Sequence, residues 1–179
     1  MRSLDEITAE EVRDLLGKGW LTHDGAWFFN TANEFGIEVA NRLNKAAIKT
    51  MAPMEMHRTK KVLGLDHPEI ESFDEMVEFT SKALHLIMPV SVSSRFHLTA
   101  PEFNVIRWDW DKGQCFAYKG MMQIGLLDDY ECGVLYRLEC WLEALGVTFE
   151  IEPRPAACIM HTTGECTGEF RFFFEALAK

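Results

Sequence analysis

Residues 90–98 read Val-Ser-Val-Ser-Ser-Arg-Phe-His-Leu, and here the periodicity of the chain changes. Before this stretch apolar residues recur at helical spacing: Phe73, Met76, Val77, Phe79, Thr80, Ala83, Leu84 and Ile87 line one face until Pro89 stops the run. From Val90 to Leu98 they alternate, as in a half-buried strand, and Phe103–Trp110 can return beside it as the second arm of an antiparallel hairpin. A helical half over 1–89 followed by a sheet-containing half over 90–179 is the signature of an α+β domain, with N-terminal helices packed on a C-terminal antiparallel sheet.

Working back from this boundary, Thr8-Ala-Glu-Glu11 is a capping-box pattern, and Gly17 and Gly19 predict an early end to the first helix. Asp24 is placed to cap a second helix. Gly36 bends it, and Ile37 to about Leu63 reads as a long amphipathic helix with Val39, Ala40, Leu43, Ala47 and Ile48 inward. Pro53 either kinks that helix or starts a new one, and Pro68 opens the next helical segment.

Working forward, two helices are inserted in the sheet half, one opening at Cys115 and one capped by Asp128 or Asp129 and ending at Gly146. Thr148–Glu152 is strand-like. Ala156–His161 and Cys166–Phe174 are predicted as the last two strands, the latter with Cys166, Phe170, Phe172 and Phe174 on one face and Glu169 and Arg171 on the other.

The chain of 179 residues has the length of one domain, and 47% hydrophobic with 26% charged residues is a globular balance. A formal charge of -10 repels phosphate backbones and anionic membrane surfaces, so nucleic acid and membrane are not expected partners. No apolar run approaches the roughly 20 residues that span a bilayer, and the first residues lack the apolar core of a signal peptide, which predicts a cytoplasmic protein. In that compartment five cysteines are expected to be reduced and available for metal binding, catalysis or burial.

All five cysteines follow residue 114. Cys115 and Cys132 each sit in the first turn of a predicted helix, where free amides and the helix dipole favour the thiolate. If Thr163-Gly164 is a hairpin loop, His161 stands across from Cys166, close enough to share an ion; Cys158 joins them only through a bulge. Cys140, between Leu138 and Leu142, reads as core packing. Two readings of the other four stay open. They fill core positions, or they form a site in which Cys132, Cys158, His161 and Cys166 ligate zinc or iron and Cys115 or Cys132 presents a reactive thiol.

A second candidate surface lies on the N-terminal helices, where His23, Trp27, Asn30 and Glu34 share one helical face and Asn41 and Asn44 follow. An indole beside a carboxylate is a plausible ligand-pocket wall, with Trp27 contacting the ligand and Glu34 handling protons. Phosphate-loop and serine-elbow patterns are absent from the sequence.

The run His23-Asp-Gly-Ala-Trp27 through Glu34-Phe-Gly36, with Arg58, Gly64 and the ordered cysteines 115, 132, 158 and 166, resembles a bacterial and archaeal family related to the L-2-amino-thiazoline-4-carboxylic acid hydrolases. More distantly it resembles the vinyl-4-reductase-type small-molecule binding domains. The resemblance implies helices packed on an antiparallel sheet, a cysteine-lined site near the C-terminus, and small-molecule binding or hydrolysis of a C=N or amide-like bond. The alternative is a non-catalytic sensor or assembly module with structural cysteines. A homodimer is the commonest assembly for such domains.

Overall fold

The computed structural model describes residues 1–67 and 69–175. Two long helices come first, α1 (Ala9–Phe35) and α2 (Ile37–Leu63), then α3 (Phe73–Ile87) and a single turn, α4 (Val90–Ser93). The sheet half follows as β1 (Phe96–Glu102), β2 (Val105–Trp110), α5 (Phe116–Gln123), α6 (Gly133–Ala144), β3 (Phe149–Glu152), α7 (Ile159–Thr163) and β4 (Thr167–Phe172). The four strands run in the order β1-β2-β4-β3 with every neighbour antiparallel, so the architecture is the expected α+β. The two expected inserted helices are α5 and α6.

The capping box at Thr8 and Glu11 forms as the sequence predicts, but α1 does not stop at Gly17 or Gly19. Gly17 is a contact site: a β-carbon there would lie 2.8 Å from Cγ of Pro89. One turn earlier, Asp14 Oδ1 accepts the N–H of Val90 at 2.6 Å, so α1 clamps the corner where α3 gives way to α4. The chain turns at Gly36, whose φ of 87° is easily reached only without a side chain. Pro53 lies within α2, on its exposed side, where the carbonyl deprived of its partner faces water. The buried face of α2 is Ala40, Asn41, Ile48, Ala52, Met56 and Thr59; Leu43 and Ala47, expected inward, are exposed. The start of the next helix predicted at Pro68 lies outside the described residues, and α3 itself begins at Phe73 with Ser72 as its cap.

Two predicted strands are replaced by helical turns. At Val90, the fixed φ of Pro89 and the bond to Asp14 start α4, and pairing begins only at Phe96. Ala156–His161 is not a strand either: Cys158 caps α7, Thr162 and Thr163 hydroxyls bond back to carbonyls of its first turn, and Gly164 closes it in the left-handed region. The partner of β4 is therefore β3, with Ile151 opposite Phe170.

Alternation sets the sheet's two faces. Ile106, Trp108, Trp110, Phe170 and Phe172 point into the core with the apolar faces of α2, α3 and α6. On the outer face Glu169 joins Arg107 across the β2–β4 pair and Arg171 along its own strand, both at 2.6 Å.

Candidate functional site

A cavity of about 810 Å³ opens between the helical half and the first strand. Trp20, Asp24 and Phe28 of α1 form one wall, Asn44 and Ile48 of α2 another, and Val134, Arg137, Leu138 and Trp141 of α6 the floor. Phe96, Trp110, Phe116 and Met121 close the far side. Exposed Asp24, Lys82 and His85 mark its mouth. Such a volume, mostly apolar with few polar groups, is in the range of small-molecule sites.

The inward face of α1 is displaced from the one read in the sequence. Trp27 is 66% exposed, and His23, Asn30 and Glu34 are exposed beside it. None of the four lines the cavity. Trp20, Asp24 and Phe28 do so instead, at i, i+4 and i+8, because Phe28 packs edge-on against Tyr130 with ring centroids 5.7 Å apart and fixes the rotation of the helix. The expectation that Trp27 and Glu34 form the pocket wall is corrected accordingly.

The polar feature of the cavity is Arg137, 7% exposed. Its Nη1 donates to Glu55 Oε1 at 3.1 Å, and the other Glu55 oxygen accepts from Trp141 Nε1 at 2.7 Å. The guanidinium carbon stands 4.3 Å from the Trp20 ring centre, a cation–π contact. Nε and Nη2 have no partner among the described residues and are left to the cavity. Burial pushes the guanidinium pKa down, opposed by Glu55 and Asp24. The sequence reading missed Arg137; its signal was a cation on the apolar stripe of α6, four residues before Trp141.

Behind the cavity the cysteines gather. Cys115 caps α5, Cys132 caps α6 and Cys158 caps α7, while Cys166 immediately precedes β4. Cys115, Cys158 and Cys166 are buried and Cys132 is partly buried. The charge of Cys132 would act on both Cys115 and Cys166, and that of Cys158 on both Cys132 and Cys166, so the four thiols lie within electrostatic reach of one another. Tyr130 lines the cavity, its Oη accepts the Gly133 N–H at 3.0 Å, and it lies within electrostatic reach of Cys132, Cys115 and Cys158. Asn41 fixes this segment, donating to the Asp129 carbonyl at 2.8 Å and accepting from the Glu131 N–H at 3.2 Å.

Helix capping does not activate the thiols as the sequence reading expected. Burial pushes Cys115 up to about 12, outweighing the amides of Tyr118 and Ala117; it pushes Cys132 up to about 11 against those of Leu135 and Val134. Cys166 is likewise raised to about 12 by burial, partly opposed by the Trp108 indole. Trp108 is fully buried and its N–H completes no regular hydrogen bond, so it acts on that sulfur at longer range.

His161 is paired with Asp128 rather than with Cys166. With no terminal hairpin it cannot stand across from Cys166; its Nε2 lies 2.9 Å from Asp128 Oδ1 at the surface. Among the described residues no group of three or more His, Cys, Asp or Glu side chains is disposed to clasp a single metal ion, including the expected set Cys132, Cys158, His161 and Cys166. Cys140 is buried mid-helix beside Tyr136, as packing requires.

Fold and site together define an α+β domain with a largely apolar cavity between its helical half and its sheet. Residues 4–91 are similar to a family described as a family of unknown function (DUF6125), a match that spans the helical half and stops before the sheet and the cysteines. No curated protein matches the chain. Among the described residues no helix is long and apolar enough to cross a membrane.

Proposed function

We propose that this chain is a small-molecule binding domain whose ligand is a neutral, largely apolar molecule carrying one hydrogen-bond acceptor, such as a carbonyl, presented to Arg137. The observation that carries the reading is a buried guanidinium with free donors in a largely apolar cavity of about 810 Å³. Neutrality of the ligand follows from charge. Arg137 is paired with Glu55, Lys82 at the mouth is paired with Glu78, and Asp24 stands within electrostatic reach of Arg137, so these five groups sum formally to -1. At an effective dielectric of about 20, a unit charge about 6 Å away contributes roughly 3 kcal/mol, more than a hundredfold in affinity against an anion. A neutral acceptor escapes this repulsion and still satisfies a donor that is costly to leave dry.

Hydrolysis of a C=N or amide-like bond would need a nucleophile within the cavity. No cysteine, Cys115 and Cys132 included, is among its lining residues, so the proposal stops at binding.

The test uses two environment-sensitive naphthalene dyes, the neutral ketone prodan and the anion 1-anilinonaphthalene-8-sulfonate. Prodan is expected to bind with a blue-shifted emission and at least about tenfold more tightly than the sulfonate. Arg137→Met should weaken prodan about tenfold, the loss of one buried hydrogen bond to a charged donor. Equal or tighter binding of the sulfonate would refute the charge argument, and binding of neither dye would refute the cavity as a ligand site.

A further inference from the structure

Helix α1 is apolar on two opposite sides. Trp20, Leu21 and Phe28 turn to the cavity, whereas Val12, Leu15, Leu16 and Trp27 turn to solvent, Leu15 with 74% and Leu16 with 67% of its surface exposed. A helix with apolar residues around its whole circumference is one that packs on every side, and the outward side of α1 stands open. The outward line is regular. Val12, Leu16, Gly19, His23, Ala26, Asn30 and Asn33 follow one another at steps of four and three, all seven are exposed, and a β-carbon on Gly19 would meet nothing within 4 Å. Alternating steps of four and three make the 3.5-residue repeat by which one helix lies along another, here over about 32 Å of axis.

Charge and area narrow the occupant. The line holds no carboxylate, lysine or arginine, although the chain as a whole carries -10. Two copies meeting along it therefore set no like charges against each other at the centre of the contact, where interfaces are depleted of charge. A membrane surface fits poorly: the polar positions of α1 include Glu10, Glu11, Asp24 and Glu34, not the lysines and arginines of a helix that lies on anionic lipid. Val12, Leu15, Leu16 and Trp27 alone expose on the order of 500 Å² of largely apolar surface. With the small and polar residues between them the face approaches the roughly 800 Å² per partner of a specific interface.

The line also complements itself. Turned antiparallel about the level of Leu21, it sets Leu16 opposite Ala26, Gly19 opposite His23 and Val12 opposite Asn30 of a second copy. A two-fold contact requires this, because every pair occurs twice, and bulky residues facing small ones are how adjacent helices interdigitate. We propose that α1 is a dimerisation helix, two copies of this chain packing antiparallel along the line from Val12 to Asn33. Gly19, which disfavours a helix and touches nothing within its own chain, then serves as the hollow that receives His23. Trp27 borders the contact, which accounts for an exposed indole that takes no part in the cavity.

The experiment is sedimentation velocity of the full chain over a concentration series, with a species of twice the monomer mass expected to dominate by about 50 μM. Gly19→Glu and Leu16→Glu should each weaken association at least about tenfold, and since both positions face solvent in the single chain, far-UV circular dichroism should stay unchanged. The register is read by oxidative cross-linking. A mixture of Leu16→Cys and Ala26→Cys chains should join to each other, whereas Asn33→Cys, which only a parallel pair would bring against its own copy, should not join to itself. A monomer throughout the series, including one that binds anionic vesicles instead, overturns the proposal. So does a dimer that both glutamate variants leave intact, or one that cross-links through Asn33→Cys. None of the substituted residues lines the cavity, so dye binding is a separate readout and failure here leaves the ligand proposal standing.

Discussion

The indole of Trp108 lies so close to Gly168 across the β2–β4 pair that a β-carbon on residue 168 would be 2.3 Å from its ring and 2.5 Å from the Glu152 carbonyl. Only a missing side chain allows this approach. Gly168→Ala must displace either a fully buried ring or a strand. A loss of about 1–3 kcal/mol is expected from overpacking, measured by urea unfolding. A variant as stable as the parent would mean that Trp108 has another place to go.

Asn41 offers a second check, because its amide bonds on both sides of Tyr130 hold a residue that lines the cavity. Asn41→Ala removes two hydrogen bonds, leaves a carbonyl and an N–H in need of partners, and should cost about 2–3 kcal/mol. It should also loosen Tyr130, which hydrogen–deuterium exchange at Gly133 would report. Unchanged exchange there would contradict the role assigned to Asn41.

How far the sequence carried can be judged residue by residue. An antiparallel hairpin after Pro89 and the helices over 37–63, 116–123 and 133–144 were legible, because apolar spacing and end signals agreed, although the first arm expected over 90–98 begins only at Phe96 and runs to Glu102. Glycine was the misleading residue in α1: Gly17 reads as a terminator locally but exists for the approach of Pro89, a tertiary contact no window contains. The same holds for Cys158, where a strand-like run was overridden by a one-turn helix closed at Gly164. The positions of Cys115, Cys132 and Cys158 at helix starts were near those expected, but the partner of His161 was not legible, because the hairpin that would have set it is absent. Trp27 and Trp20 look equally suited to a pocket; only the packing of Phe28 on Tyr130 decides which faces inward.

The pH behaviour of the N-terminus gives a local prediction. Arg2 and Thr8 hold Glu11 well below its ordinary value of 4.5, at about 2. A depressed carboxylate stabilises the fold above its unfolded pKa and loses that contribution as pH falls, here between about 4.5 and 2. A carboxyl-carbon NMR titration should place the Glu11 midpoint near 2, and Arg2→Ala should raise it. An ordinary midpoint in the parent chain would remove the Arg2–Glu11 tether.

Thiol reactivity follows from burial. With Cys115 and Cys166 pushed up to about 12 and Cys132 to about 11, few thiolates exist near neutral pH in the metal-free chain. Iodoacetamide should label these three slowly in native protein and fast in denaturant, as read by mass spectrometry. Rapid native labelling of any of them would show an exposed, activated thiol.

The central claim, that a formally negative trio around Arg137 selects a neutral ligand, is met most directly by a charge series read with the two dyes. The parent carries -1 over Asp24, Glu55 and Arg137; Glu55→Gln makes it 0, and Asp24→Asn with Glu55→Gln makes it +1. The predicted result is a stepwise gain in affinity for the sulfonate, on the order of tenfold or more per charge, while prodan changes little. Sulfonate affinity that is flat across the three proteins, or prodan affinity that tracks the charge instead, would contradict it.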